Sequence, residues 1–283
     1  MTMRQLLVKR LGALPVIREY LERLQLQERV DALALVREVA HLTNGEVVEA
    51  LGANRLTAPR PLYDSVEWAQ TWAVAETFGI RPADLNDDRL GRCLDDLAAV
   101  HDRLRGDLTV QAIAAFGLET RALRWDLTSV LVTGEYPGKE QVRYLQVTTD
   151  EGAVPVWDQP YDGKTTDVAT VSATMEAWRE HARCTDFVLI GDSKLLSAAN
   201  RQALLAAEVG YLAPLARPPE LAAAFGAIPP DAWTRLEYVS ERARSQPAAE
   251  RTTDLGWDST VAVSWPDDQG RPRRRWVRRL FLI

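Results

Sequence analysis

The chain has 283 residues, enough for one large domain or two ordinary ones, and either can bury a real core. Its 46% hydrophobic and 26% charged residues match a soluble globular protein, and no apolar run is long enough for a membrane span or a signal peptide. With 34 Lys+Arg against 40 Asp+Glu the net charge is −6, so the molecule as a whole does not carry the basic signature of a nucleic-acid binder.

Residues 1–118 read as helical. Leu14, Ile17, Leu21 and Leu24 recur at 3- and 4-residue spacing and make one apolar face. Val30 to Leu42 continues as a denser apolar stretch, with Thr43-Asn44-Gly45 as a stop and restart. Ala58-Pro59-Arg60-Pro61 interrupts the pattern, and Val66 to Phe78 resumes it. Asn86-Asp87-Asp88 then opens a helix through Leu90, Cys93, Leu94 and Leu97, with an acidic first turn. His41 and His101 have no second metal-type residue at ligand spacing and read as structural. Cys93 and Cys184 lie far apart without such spacing and read as buried thiols in a cytoplasmic protein.

Near Leu118 the period changes to alternation. Ala122 to Thr133 predicts a strand with Asp126 buried in its middle, where an unpaired charge needs a partner or a metal. Gln141 to Thr149 and Ala153 to Gln159 complete a meander, with a turn at Asp150-Glu151-Gly152. Val168 to Arg183 predicts a helix with Val171, Met175 and Trp178 on one face. Phe187-Val188-Leu189-Ile190 is short and apolar, as a strand buried on both faces is. It ends at Gly191-Asp192-Ser193, where Asp192 is either a ligand-bearing carboxylate at the C-terminal end of a strand or the cap of the next helix. A helix from Leu195 to Val209 and a short strand at Tyr211 to Leu215 follow.

The order βββαβαβ matches the ribonuclease H-like topology, a mixed sheet whose first and fourth strands lie side by side. That places Asp126 and Asp192 on neighbouring strands, an arrangement able to hold divalent metal for two-metal phosphoryl transfer. Further on, Arg235 to Val239, Ser259 to Trp265 and Arg275 to Ile283 read as strands, with a turn at Asp267-Asp268-Gln269-Gly270. Arg271, Arg273, Arg274, Arg275, Arg278 and Arg279 surround Trp276, and the cluster reads either as a phosphate-contacting patch or as a solvated strand edge.

Several stretches share one pattern. They are Pro61-Leu62-Tyr63, Leu85-Asn86-Asp87-Asp88-Arg89-Leu90-Gly91-Arg92, Trp125-Asp126-Leu127-Thr128-Ser129-Val130, Asp162-Gly163-Lys164-Thr165-Thr166-Asp167 and Gly191-Asp192-Ser193-Lys194-Leu195. Each is weak alone, but in this order and spacing the chain resembles DDE transposases of bacterial insertion sequences, in the subgroup with a β-rich insertion before the last catalytic residue. The resemblance implies an α/β fold in three parts: a helical N-terminal domain over 1–118, a ribonuclease H-like core over 119–216 and part of the β-rich insertion over 217–283. It implies that Asp126 and Asp192 are the first two catalytic and metal-holding carboxylates, with Mg²⁺ or Mn²⁺ as cofactor and the DNA ends of the element as partner. It also implies a homo-oligomer or pairing with full-length transposase, and a cytoplasmic protein that joins the nucleoid when bound to DNA.

Two departures stand beside the matches. The subgroup carries its final Glu on a helix after the insertion; Glu237 and Glu241 come too early for it, and the sequence ends at Ile283. A basic, His-containing segment usual between the first two strands is replaced by Gly134-Glu135-Tyr136-Pro137-Gly138 running into Lys139-Glu140-Gln141. The expectation is therefore a truncated, internally shortened and catalytically inactive copy. The alternative is a non-catalytic DNA-binding or regulatory remnant that pairs with intact transposase; a stand-alone metal nuclease using two aspartates is a third reading.

Overall fold

The computed structural model describes residues 8–36, 40–131, 141–165, 167–182, 186–215, 219–238, 244–247, 251, 254–267 and 269–283. The chain is mixed α/β, a helical N-terminal half followed by a mixed sheet. It divides into two compact units, Met1–Thr165 with Ala173–Phe187, and Thr166–Ser172 with Val188–Ile283.

In the first unit, α1 (Leu14–Arg23) and α2 (Leu26–Leu33) meet at Gln25, which adopts a left-handed φ of 52°. The apolar stretch from Val30 to Leu42 is not one helix: α2 stops at Leu33. The backbone leaves the helical region at Ala34, whose carbonyl accepts a hydrogen bond from Asn44 Nδ2 at 2.9 Å. The restart at Thr43 is present as expected. Thr43 Oγ1 accepts from the Glu46 amide at 3.1 Å and Glu46 Oε2 accepts from the Thr43 amide at 2.7 Å, a reciprocal capping box that opens α3 (Asn44–Thr57).

The expected helix from Val66 to Phe78 is two pieces, α4 (Ser65–Thr71) and α5 (Val74–Phe78). Between them Trp72 is extended, because Arg10 forms a bridge that takes up the Thr71 carbonyl and the Ala73 amide, each at 2.9 Å. Asn86 caps α6 (Asp87–Ala98) through the Arg89 amide, and α7 (His101–Phe116) ends at Gly117 with φ 61°. Leu14, Val47, Trp68, Val74, Ile80, Leu85, Leu90 and Cys93 form the main helical core. Cys184 lies outside the described residues.

Strands β1 (Ala122–Leu131), β2 (Gln141–Thr149) and β3 (Pro155–Asp162) form an antiparallel meander. The last of these runs later than the Ala153 to Gln159 expected. Trp125 pairs with Val147 and Val147 with Trp157, a row of buried side chains across three strands. The next row, Asp126, Gln146 and Asp158, points to the opposite face because side chains alternate along a strand. Helix α7 is tied to β3 by Thr109 Oγ1, which donates to the Val156 carbonyl at 2.6 Å.

Helix α8 (Asp167–Ala182) runs from the second unit into the first. In the second unit β4 (Val188–Ile190) pairs in parallel with β5 (Gly210–Leu212), joined through a 3-10 turn at Ser193–Leu196 and α9 (Ala198–Ala206). The element order from β1 to β5 is the βββαβαβ that the sequence predicts. Beyond it come α10 (Pro219–Gly226), a two-residue strand β6 (Thr234–Arg235) where a longer one was expected, and a long hairpin of β7 (Leu255–Pro266) and β8 (Pro272–Leu282). Phe281 closes this part against Trp257 and Phe225, at ring centroid distances of 5.5 and 6.0 Å.

Candidate functional site

Asp126 stands in the middle of β1, but it is exposed rather than buried. Leu123 and Trp125 take the core-facing positions, so Arg124, Asp126 and Thr128 fall on the solvent face. The expectation of a buried charge in need of a partner is corrected by this alternation. Thr128 Oγ1 donates to Asp126 Oδ2 at 3.1 Å. Thr128 entered the sequence reading only as part of a longer motif; the signal that would have found it is the two-residue spacing, which puts both side chains on one face.

The neighbours of Asp126 on that face are committed elsewhere. The guanidinium of Arg124 is held by Asp150 at 2.7 Å. Tyr144, opposite Thr128 across the strand pair, donates its hydroxyl to Asp158 Oδ2 at 2.8 Å. Burial together with that carboxylate pushes the Tyr144 phenol up to about 12, so it stays a neutral donor. Asp126 Oδ1 has no hydrogen-bond partner among the described residues.

Asp192 follows β4 directly and belongs to the second unit. Its Oδ1 accepts the Lys194 amide at 2.9 Å, so it does cap the 3-10 turn, as one of its two sequence readings had it. One carboxylate oxygen suffices for the cap, and Oδ2 is left for other chemistry. Leu195 packs against Gly191, where an added Cβ would lie 2.9 Å from Leu195 Cδ2; the turn that presents Asp192 is therefore closely packed.

Among the described residues no three or more His, Cys, Asp or Glu side chains are gathered as a metal site. The donors present nevertheless fit the chemistry of Mg²⁺ or Mn²⁺. Asp126 in the first unit and Asp192 in the second each have one carboxylate oxygen without a hydrogen-bond partner among the described residues, and carboxylate oxygen is the donor type by which Mg²⁺ is ordinarily held together with water and substrate phosphate. Two grooves of the helical half lie elsewhere. One of about 340 Å³ lies between α7 and β3 and one of about 660 Å³ beside α6, and neither is lined by Asp126 or Asp192.

The arginine cluster resolves into separate interactions along the β7–β8 hairpin. Asp267 in the turn receives Arg271 at 3.0 Å and Arg273 at 3.3 Å. Hydrogen bonds led by the Arg271 amide hold its carboxyl below the usual range. Arg275 pairs with Glu208. Arg278 pairs with Asp258 at 2.9 Å, and its hydrogen bond lowers that carboxyl in turn. Arg279 donates to Ser259 Oγ at 3.5 Å and lies 5.8 Å from the Phe281 ring centroid. Arg274 has no carboxylate partner among the described residues; its guanidinium sits 4.7 Å over the ring of Trp276, which is 66% exposed. Alternation puts Arg274, Trp276 and Arg278 on one face, with Arg273, Arg275 and Arg279 on the other.

No described helix is long and apolar enough to cross a membrane. Residues 6–103 match a family model described as a domain of unknown function, DUF4277. No curated protein matches at a significant level. Among solved structures the chain is similar to the catalytic domain of Mos1 mariner transposase, at 12% identity over 44% of this chain and 68% of that one, with a TM-score of 0.27. It is similar also to the Mos1 transposase paired-end complex with left transposon end, at 10% identity over 68% and 67% of the two chains and a TM-score of 0.27. A piggyBac transposase synaptic complex with hairpin DNA matches at 12% identity over 99% of this chain and 53% of that one, with a TM-score of 0.36.

Proposed function

We propose that the chain is a DDE-type transposase polypeptide in which Asp126 and Asp192 are two metal-holding carboxylates of a DNA strand-cleavage and strand-transfer centre. In this reading residues 1–118 are a helical N-terminal domain, 119–216 the ribonuclease H-like core and 217–283 part of a β-rich insertion. The observation that carries the proposal is the state of Asp126: a carboxylate in mid-strand, exposed, with one oxygen oriented and the other free. The element order that returns Asp192 to the end of β4, and the shared motif series around both aspartates, support it.

A divalent ion bound there would activate water or a DNA 3′-hydroxyl and stabilise charge on the scissile phosphate. Asp126 would supply Oδ1 to the ion, and Asp192 would supply Oδ2 while its other oxygen keeps the strand-ending turn closed. Two carboxylates would give one of two ions no dedicated protein ligand, so in this reading the pair holds a divalent ion without aligning a phosphate for attack. In this reading the pair alone does not cleave DNA. Arg274, stacked over the exposed Trp276, favours a second reading, a non-catalytic DNA-binding or regulatory partner that pairs with an intact transposase.

The test combines Mn²⁺ binding with strand cleavage on DNA carrying the element's ends. Binding that weakens in both Asp126→Ala and Asp192→Ala is expected, with no cleavage. Mn²⁺ binding indifferent to both substitutions removes the site assignment. Cleavage that vanishes in Asp126→Ala shows that two aspartates suffice and overturns the inactivity.

A further inference from the structure

The geometry points to Thr128 as a positioning residue that sets which oxygen of Asp126 meets the cation; this rests on the metal-holding reading proposed for Asp126. On a strand, residues two apart share a face, so Thr128 and Asp126 stand side by side on the solvent face of β1. The β-branched Thr side chain is stiff about its first torsion, so the hydroxyl that donates to Oδ2 at 3.1 Å is a fixed point rather than a wandering one. No other hydrogen bond engages the Thr128 side chain among the described residues.

Among the described residues, the neighbours of Asp126 on β1 and β2 are engaged elsewhere or neutral. Arg124, two residues before Asp126, is drawn to Asp150, so it does not neutralise the Asp126 carboxylate. Tyr144, across from Thr128, gives its hydroxyl to Asp158. Gln146, directly across from Asp126, is neutral. Oδ2 is thus held by a neutral donor that leaves the negative charge intact, and Oδ1 is the oxygen presented outward. A carboxylate fixed in this way meets a cation first through Oδ1 alone. Contact through both oxygens requires the Thr128 hydroxyl to turn away.

Outer hydrogen-bond partners of this kind orient a ligand before the ion arrives, and their loss typically weakens metal affinity by about ten-fold. The experiment is Mn²⁺ titration of the full chain, followed by electron paramagnetic resonance, for wild type, Thr128→Val, Thr128→Ser and Asp126→Asn. Valine keeps the shape and strand preference of threonine and removes only the hydroxyl, and a urea unfolding curve for each variant checks the fold. The expected result is about a ten-fold weaker Mn²⁺ affinity in Thr128→Val, restored in Thr128→Ser, with binding lost in Asp126→Asn. Wild-type affinity in Thr128→Val, with binding still lost in Asp126→Asn, overturns the positioning role alone. Binding that is equal in wild type and Asp126→Asn, or absent from wild type, removes the metal-holding reading and this role with it.

Discussion

The guanidinium of Arg105 sits over the indole of Trp157, its Cζ 3.8 Å from the ring centroid, and joins α7 to β3. The same guanidinium donates to the Asp158 carbonyl and reaches Asp102 at 3.0 Å, while its side chain is only 8% exposed. Burying a cation this deeply is tolerable because the ring face and two oxygens replace its water.

Arg105→Ala should destabilise the fold by about 2–3 kcal/mol, through lost packing as well as lost charge. Arg105→Lys should recover only part of that, since an ammonium cannot stack as a plane. Urea unfolding of the two single variants with Trp157→Ala and the double variants gives the coupling energy, expected at about 1 kcal/mol or more. Additive losses would show that the two side chains act independently.

Glu49 on α3 is half-buried, and its carboxyl is raised from 4.5 to about 7. Burial is the first cause; Glu28, Glu22 and Glu46 add to it and Arg18 opposes it. In the unfolded chain the group ionises near 4.5, so between that value and about 7 the folded state holds the extra proton. Stability from this group therefore falls as pH rises through that window and stays reduced above it. Glu49→Gln should be more stable than wild type at pH 8, by about 1 kcal/mol once solvent screening of a half-exposed group is allowed for, and the gain should shrink toward pH 4.5. Denaturant midpoints at the two pH values measure it, and a gain independent of pH would refute the titration.

Two glycines of α3 should respond with opposite sign. A Cβ on Gly45 would fall 2.6 Å from the Gln27 carbonyl oxygen and 2.7 Å from Gln27 Cα, both backbone atoms that cannot yield cheaply. Gly45→Ala should cost about 3 kcal/mol as α2 and α3 are forced apart. Gly52 meets nothing within 4 Å, so Gly52→Ala should stabilise by roughly 0.5–1 kcal/mol through helix propensity. Thermal unfolding of both variants decides, and a stabilising Gly45→Ala would contradict the close approach.

If the β7–β8 hairpin meets DNA, Arg274 and Arg279 are the arginines of the cluster without a carboxylate partner among the described residues, and Arg274 is the exposed one of the two. Arg274→Ala should lower the slope of log K against log salt by about 1, as expected for one phosphate contact. Arg271→Ala should change it less, because Asp267 already holds that charge. Equal slopes for wild type and Arg274→Ala assign the cluster to the hairpin's own structure.

The restart at Thr43-Asn44-Gly45 was legible from the sequence because the signals that open α3 lie within one turn. So was the change of period near Leu118, where helical spacing gives way to the alternation of β1. What the sequence could not show were partners supplied from a distance. Helix α2 stops at Leu33 because Asn44 caps Ala34, and α4 parts from α5 because Arg10 bridges at Trp72. Neither break carries a proline or glycine to announce it.

The candidate site divides along the same line. Local pattern alone determined that Asp126 lies in a strand, that Asp192 ends one, and that arginines crowd the last strand. Only the tertiary structure decided the face of β1 on which Asp126 stands, since Trp125 and Val147 had to be paired and buried before the opposite face could be known as solvent. It decided as well that Asp267, Glu208 and Asp258 pair with Arg271, Arg273, Arg275 and Arg278 of the cluster. The physical reason is range: propensity, capping and alternation act over a few residues, whereas burial and charge pairing depend on which distant segments arrive beside them.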